Sequence, residues 1–163
     1  MRKPSSLRTA LTAALPELKR NPDRLVIWVE DGAVRARQTA GDSFSFEYPL
    51  SILLREIATD IAILVHAINR WLRVNQPDLL AAGKRDSFKF ETDILDNDTA
   101  DIVFTLDLTE AVAVAPKPEA EGGGWSIDYV AEPDPLFDDE NALAQAAGTP
   151  PLTGATSEAI VAD

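Results

Sequence analysis

The sequence has no cysteine and a single histidine, His66, among its 163 residues. The absence of cysteine excludes disulfide bridges, thiolate metal sites, iron–sulfur clusters and cysteine catalysis. One histidine excludes metal sites that need several imidazoles. No apolar stretch reaches the roughly 18–20 residues of a membrane span, and no apolar run follows the basic start of the chain. We therefore expect a soluble protein without a signal peptide, made in a cytoplasm.

Positive charge is scarce in the second half of the chain. Residues 1–89 carry 14 Lys and Arg against 10 Asp and Glu, whereas residues 90–163 carry only Lys117 against 17 acidic residues. Phosphates are repelled by such an acidic segment, and the arginines of the first half are spread out. Specific nucleic-acid binding is therefore not expected.

Hydrophobic spacing predicts two main helices. The first covers residues 5–15, with Ser5 or Ser6 as its cap and Pro16 at its end. The second covers residues 60–75 and has Asp60 as its N-cap. Each carries one apolar stripe at intervals of three and four residues, formed by Leu7, Leu11, Leu15 and Leu18 in the first and by Ile61, Leu64, Val65, Ile68, Trp71 and Leu72 in the second.

Strict alternation of apolar and polar residues predicts strands over residues 44–54, 87–94 and 101–112. Residues 24–38 are predicted to form a β-hairpin, because Asp31-Gly32 suits a two-residue turn. Pro49 lacks an N–H, which favours an edge position or a bulge at that point.

The predicted fold class is α+β, with an antiparallel sheet of about five strands and two main helices on one face. We assign this domain to residues 1–116. Residues 117–163 are read as an acidic extension rich in Pro, Gly and Ala, either disordered or dependent on a partner. Within it, residues 125–130 could form one last strand.

No residue pattern predicts an enzyme, a cofactor site or a metal site. His66 has no catalytic partner at helical spacing and is read as a surface or hydrogen-bonded helical residue. The acidic residues around Asp96 miss the ligand spacing of a calcium loop and favour a turn. Gly122–Gly124 lacks the downstream Lys-Ser/Thr of a phosphate-binding loop and is read as a flexible joint.

Two groups of residues are candidate protein interfaces. Arg70, Trp71 and Arg73 form a cationic-aromatic patch late in the second helix, and tryptophan and arginine are enriched at protein contacts. The alternative is that Trp71 belongs to the core while the arginines favour the negative end of the helix. In the extension, the candidate anchors are Trp125, Tyr129 and Phe137.

Several segments, in their order and spacing, resemble the tail completion protein R family of contractile-tailed temperate phages of the peduovirus type. The resemblance spans residues 3–114 and excludes the segment after Pro116. The segments that carry it are Lys3-Pro4, Leu7-Arg8 and residues 11–18, 22–25, 46–48, 71–80 and 94–101.

The resemblance implies a structural virion protein that completes the tail before it joins the head. By fold-level analogy with tail terminators, we expect a homohexameric ring that caps the tail tube and ends its polymerisation. Expected partners are the chain itself, the tail tube protein and head–tail connector or neck proteins, with the sheath as a further candidate. DNA could pass through the ring without specific binding. The alternatives are a neck adaptor and a non-virion assembly chaperone. The expected location is the tail or neck of a virion assembled in a bacterial cytoplasm.

Overall fold

Alternating apolar residues build the two longest strands of the protein, Phe44–Ile57 and Ala100–Pro116, which pair antiparallel. The computed structural model describes residues 1–132, except residues 39, 82, 84, 85 and 97 and the side chain of residue 121. The described helices and strands are, in chain order, α1 (Lys3–Ala14), α2 (Pro16–Arg20), β1 (Leu25–Val29), β2 (Ala33–Ala36), β3 (Phe44–Ile57), α3 (Ile61–Asn75), β4 (Lys89–Ile94), β5 (Ala100–Pro116) and β6 (Trp125–Tyr129). Short 3₁₀ turns cover Pro22–Arg24, Pro77–Leu80 and Glu119–Glu121.

All strand pairings among the described residues are antiparallel. One side of β3 pairs with β1 and β2, its other side pairs with β5, and the far side of β5 pairs with β4 and β6. The α+β prediction is therefore confirmed, with six strands in the described residues instead of about five.

The hydrophobic core lies between the sheet and the helices. The even-numbered residues of β3 and β5 face this core, since Leu50, Ile52, Phe104 and Leu106 are fully buried. The predicted apolar stripes of the helices meet them, with Leu7, Leu11 and Leu18 from the N-terminal helices and Leu64, Ile68 and Leu72 from α3. Burial of each such side chain contributes roughly 1.5–3 kcal/mol.

The predicted hairpin over residues 24–38 is wrong. β1 and β2 do not pair with each other but lie end to end along β3, with Val29 opposite Leu50 and Ala33 opposite Glu47. The long edge of β3 offers both short strands a partner that each would lack in an isolated hairpin. Their break lies opposite Pro49, which has no N–H to donate. Pro49 itself lies in an inner strand, so the edge position suggested for it is also wrong.

Among the three α-helices of the described residues, only α3 has a side-chain cap from its own N-cap residue. Asp60 caps α3 as predicted, because its carboxylate accepts the Ala62 N–H at 2.7 Å. Pro16 ends α1 as predicted and begins α2. The predicted serine cap of α1 is wrong, since the helix already begins at Lys3 and has no side-chain cap from its own N-cap residue.

The glycine-rich segment after β5, predicted to be a flexible joint, forms the turn between β5 and β6. Gly122, Gly123 and Gly124 have φ angles of 92°, 65° and 85°, a region that glycine enters without a Cβ clash. The Lys117 N–H donates to the Gly124 carbonyl at 2.9 Å. The turn brings β6 back along β5, as the suggested last strand requires.

Residues 1–132 form one compact unit that includes β6. The described sheet thus continues past residue 116, while the division of the chain into a domain and an acidic extension stays a prediction. In the described part of the chain, no helix is both long and apolar enough to cross a membrane.

Candidate functional site

A buried carboxylate holds the start of α1 against the sheet. Glu110 lies on the core side of β5 and is 3% exposed. Its Oε2 accepts the backbone N–H of Arg2 at 2.6 Å and that of Lys3 at 3.3 Å, while its Oε1 accepts the Tyr48 hydroxyl. Glu110 therefore supplies the cap that no serine provides, and its negative charge suits the positive end of a helix.

Burial raises the pKa of Tyr48 far above its usual range, and the hydrogen bond to Glu110 and the negative charge of that carboxylate raise it further. The phenol is therefore held in its neutral, proton-donating form. With Glu110 as its acceptor, the pair joins β3 to β5 on the core side of the sheet.

In the gap between β4 and β6, the side chains of Gln76 and Lys3 hydrogen-bond to the backbone edge of β5. The Thr109 N–H donates to the Gln76 side chain at 3.1 Å, and the Thr109 carbonyl accepts from Lys3 Nζ at 2.6 Å. These are the backbone groups that a further strand would otherwise pair. Lys3 Nζ also donates to Gln76 at 2.6 Å and to Glu132 at 2.5 Å, which uses all three of its donors.

The beginning of the chain also contacts the end of the described unit. The Met1 ammonium donates to the Tyr129 hydroxyl at 2.6 Å, and the Arg2 guanidinium carbon lies 4.9 Å from the centre of the Tyr129 ring. Together with the ion pair between Lys3 and Glu132, these contacts attach residues 129–132 to α1. We call Lys3, Tyr48, Gln76, Glu110, Tyr129 and Glu132 the N-terminal polar cluster.

The structure separates the residues of the predicted cationic-aromatic patch. Trp71 is 6% exposed, and its Nε1–H donates to Ser6 Oγ at 3.0 Å. Arg70 and Arg73 are exposed on the other side of α3 from the core. The patch is therefore corrected to two exposed arginines beside a buried indole, because the helical period turns Trp71 towards α1. A contact surface at Arg70 and Arg73 stays a prediction.

The anchors predicted in the extension fall in different environments. Trp125 is 57% exposed at the start of β6, and Tyr129 is half-buried at its end, where it belongs to the N-terminal polar cluster. Ile127 between them is 62% exposed. Phe137 lies outside the described residues. The β5–β6 hairpin therefore presents an apolar surface made of Trp125 and Ile127.

The outermost strands on the two sides of the sheet have opposite charge. Every residue of β2 is exposed, and Arg35 and the adjoining Arg37 share one face there. Every residue of β4 is exposed as well, and its corresponding face carries Lys89, Glu91 and Asp93. This face of β2 is thus basic, and that of β4 has a net negative charge.

Metal-ligating side chains do not cluster in the described residues. No group of His, Cys, Asp and Glu among them is placed to hold a metal ion. His66 is exposed on α3. Asp96 forms the predicted turn, where its Oδ1 accepts the N–H groups of Asp98 at 2.8 Å and Thr99 at 2.7 Å. These hydrogen bonds hold the pKa of Asp96 below its usual value.

The N-terminal polar cluster was not predicted, although the sequence contains one signal for it. Glu110 continues the even-numbered series Ile102, Phe104, Leu106 and Leu108, and Val112 follows it. A single carboxylate on a face that is otherwise apolar indicates a buried acid with a specific partner. The partners at Lys3 and Gln76 carried no such signal, because their contacts depend on how the chain folds back.

Two comparisons with known proteins point to the same family. The family model of the P2 phage tail completion protein R (GpR) matches residues 1–133, past the end expected for the resemblance at residue 114. The chain is 36% identical over 137 residues to the tail completion protein R of Escherichia phage P2. The aligned residues cover 83% of this chain and 86% of that protein. No solved structure matches the chain. The chain thus belongs to the P2 phage tail completion protein R family.

Proposed function

We propose that the chain is a structural virion protein that completes the tail of a contractile-tailed phage. The observation that carries this proposal is the family match over residues 1–133, which includes the whole described sheet and both main helices. A tail completion protein contacts other components of the tail and head. It acts by assembly, so we assign it no catalytic residue.

The finer proposal is that copies form a hexameric ring on the last ring of the tail tube, end its polymerisation and present a surface to the neck. The exposed surface of the described unit supports a role in assembly. Phe90, Ile94, Trp125 and Ile127 are 55%, 74%, 57% and 62% exposed. Exposed apolar side chains grouped at the sheet edges are typical of surfaces that are covered by a protein partner.

The acidic extension, residues 117–163, is proposed to bind a basic surface of a neighbouring subunit or neck protein through its part beyond the described unit. Residues 133–163 contain six acidic residues and no lysine or arginine. A segment of this composition cannot bury enough apolar surface to fold alone, but charge attraction can order it on a partner.

Deletion of the gene from the phage tests the proposal, with the wild-type gene supplied in trans as control. We expect overlong tails without heads and with normal baseplates, seen by electron microscopy. Tails of normal length that lack heads would instead support a neck adaptor. Normal particles would overturn both. Copy number in purified particles separates a virion protein from a chaperone, since a chaperone leaves the finished tail.

A further inference from the structure

We propose that β2 of one copy pairs antiparallel with β4 of the next copy, and that this contact joins the subunits of the ring. The inference deepens the ring assembly proposed above and rests on it. The register that satisfies both faces of the two strands places Val34 opposite Ile94, Arg35 opposite Asp93, Ala36 opposite Thr92 and Arg37 opposite Glu91.

Both strands have an outer edge available for pairing. Within the described residues, β2 pairs only with β3, and β4 pairs only with β5. All four residues of β2 and all six of β4 are exposed. Neither strand contains proline, and neither shows a register shift against its partner. Such edges present unpaired backbone groups that a strand from another chain can pair with.

The side chains of the two edges are complementary on both faces. On the helix side of the sheet, the most exposed apolar residues of β2 and β4 are Val34, at 63%, and Ile94, at 74%. On the opposite face, Arg35 and Arg37 meet Asp93 and Glu91. Arg35 already contacts Glu47 through Nε at 2.5 Å, and this ion pair does not use its two terminal amino groups. Among the described residues, neither Glu91 nor Asp93 has an ion-pair partner.

The strand directions also agree. β2 runs opposite to β3, β3 opposite to β5, and β5 opposite to β4, so β2 and β4 run in opposite directions within one sheet. When copies repeat in the same orientation, β4 of one and β2 of the next are therefore antiparallel. Their helix-side faces also coincide, so the helices of successive copies would lie on the same side of the shared sheet.

Charge weakens the two contacts between like edges. Two β2 strands would bring Arg35 and Arg37 against arginines, and two β4 strands would oppose Glu91 and Asp93 to carboxylates except in the register that places Lys89 of one copy opposite Asp93 of the other. Like charges directly opposite each other destabilise paired strands. The favoured contact therefore joins two different surfaces, and such a head-to-tail interface closes into a ring when its rotation permits.

Disulfide trapping tests the register, since the chain has no native cysteine. Full-length protein carrying Ala36→Cys and Thr92→Cys is assembled on tail tubes and oxidised. We expect a covalent ladder that ends at six. A mixture of the two single variants should give dimers and nothing larger, and each single variant alone should stay uncrosslinked. The matched control pairs Ala36→Cys with Ile127→Cys on the other exposed strand, β6.

The outcomes separate the contact from the ring. Two results would overturn the β2–β4 contact but not the ring. One is crosslinking of Ala36→Cys to Ile127→Cys but not to Thr92→Cys. The other is a wild-type ring in native mass spectrometry when Thr92→Cys gives no crosslink. A ladder through Thr92→Cys that ends at another number would support the contact and overturn the hexamer. Monomers alone on tail tubes would overturn both.

Charge reversal provides a second measurement. Arg35→Glu with Arg37→Glu makes both edges acidic, and Glu91→Lys with Asp93→Lys makes both edges basic. We expect each doubly substituted protein to lose ring assembly. An equal mixture of the two should recover it, because the edges then alternate in sign around an even-numbered ring. Unchanged assembly of either protein alone would contradict the β2–β4 contact.

Discussion

The Tyr48 hydroxyl donates a hydrogen bond to the Glu110 carboxylate beneath the start of α1. The same carboxylate accepts backbone N–H groups of Arg2 and Lys3 through its other oxygen. One buried side chain thus connects β3, β5 and the first turn of the N-terminal helix.

Glu110→Ala is expected to lower the free energy of unfolding by about 3 kcal/mol, the upper end for hydrogen bonds to a charged group, because three donors lose their acceptor. Glu110→Gln, which keeps an acceptor oxygen, should lie between wild type and alanine. Urea unfolding measures both. The control is Glu119→Ala, which removes an exposed acid of equal charge and should stay within about 0.5 kcal/mol of wild type. Equal stability of the two alanine variants would contradict the capping role of Glu110.

Alkaline stability should report on Tyr48. Its pKa is raised in the folded state, so folding favours the protonated phenol. The stabilisation from the protonated Tyr48 phenol is fully present below about pH 10 and is lost at higher pH. There the free energy of unfolding should fall by about 1.4 kcal/mol per pH unit. Tyr48→Phe should reduce this slope relative to wild type. In Tyr129→Phe, where Tyr48 is the remaining tyrosine, the phenolate absorbance should appear only as the protein unfolds. Phenolate formation in the folded protein would contradict the prediction.

Trp71 is expected to stabilise the fold as a core residue. Trp71→Ala should lower the free energy of unfolding by about 3–5 kcal/mol, as large-to-small core substitutions do. Trp71→Phe should lower it by less, since it keeps most of the buried surface and loses mainly the bond to Ser6. Arg73→Ala, on the exposed side of α3, is the control and should leave stability within about 0.5 kcal/mol. A stable Trp71→Ala protein that fails to join heads to tails would identify Trp71 as an interface residue instead.

Two truncated chains should differ in stability. A chain ending at Glu132 keeps β6 and the contact with Lys3, so it should fold with stability close to that of the full chain. A chain ending at Pro116 loses β6, the Tyr129 contacts and the Glu132 ion pair, and should be less stable. Thermal unfolding followed by circular dichroism compares them.

The longer truncated chain also tests the part of the acidic extension beyond residue 132 without disturbing the described unit. We expect it to cap tails but to join heads poorly, with a defect that deepens as salt screens the remaining charge contacts. Normal phage yield at every salt concentration would exclude a joining role for residues 133–163.

Local patterns predicted much of this fold. The alternation through β3 and β5 fixed both strands and their core faces, and Leu7, Leu11 and Leu18 identified the buried side of the first helices. Asp60 and Pro16 marked helix ends correctly because capping and the missing proline N–H act within one turn.

Local patterns could not predict which strands pair and which helices pack together. Asp31-Gly32 suits a hairpin turn, but β1 and β2 each pair with β3, whose long edge competes for both. The three glycines of residues 122–124 were taken for a joint, although positive φ angles serve a turn equally well. Trp71 fitted both a core and an interface by composition, and only the packing of α3 on α1 decides between them.

The cap on α1 has a consequence for how the chain folds as it is made. Arg2 and Glu110 are 108 residues apart in sequence, and Lys3 and Glu132 are 129 apart. The first helix leaves the ribosome long before its anchoring acid, which emerges only after β5 has largely been synthesised. Contacts of such long separation form slowly, since the loop between them must close first. The N-terminal helix therefore waits for most of the chain, and the native unit is completed after its synthesis is nearly finished.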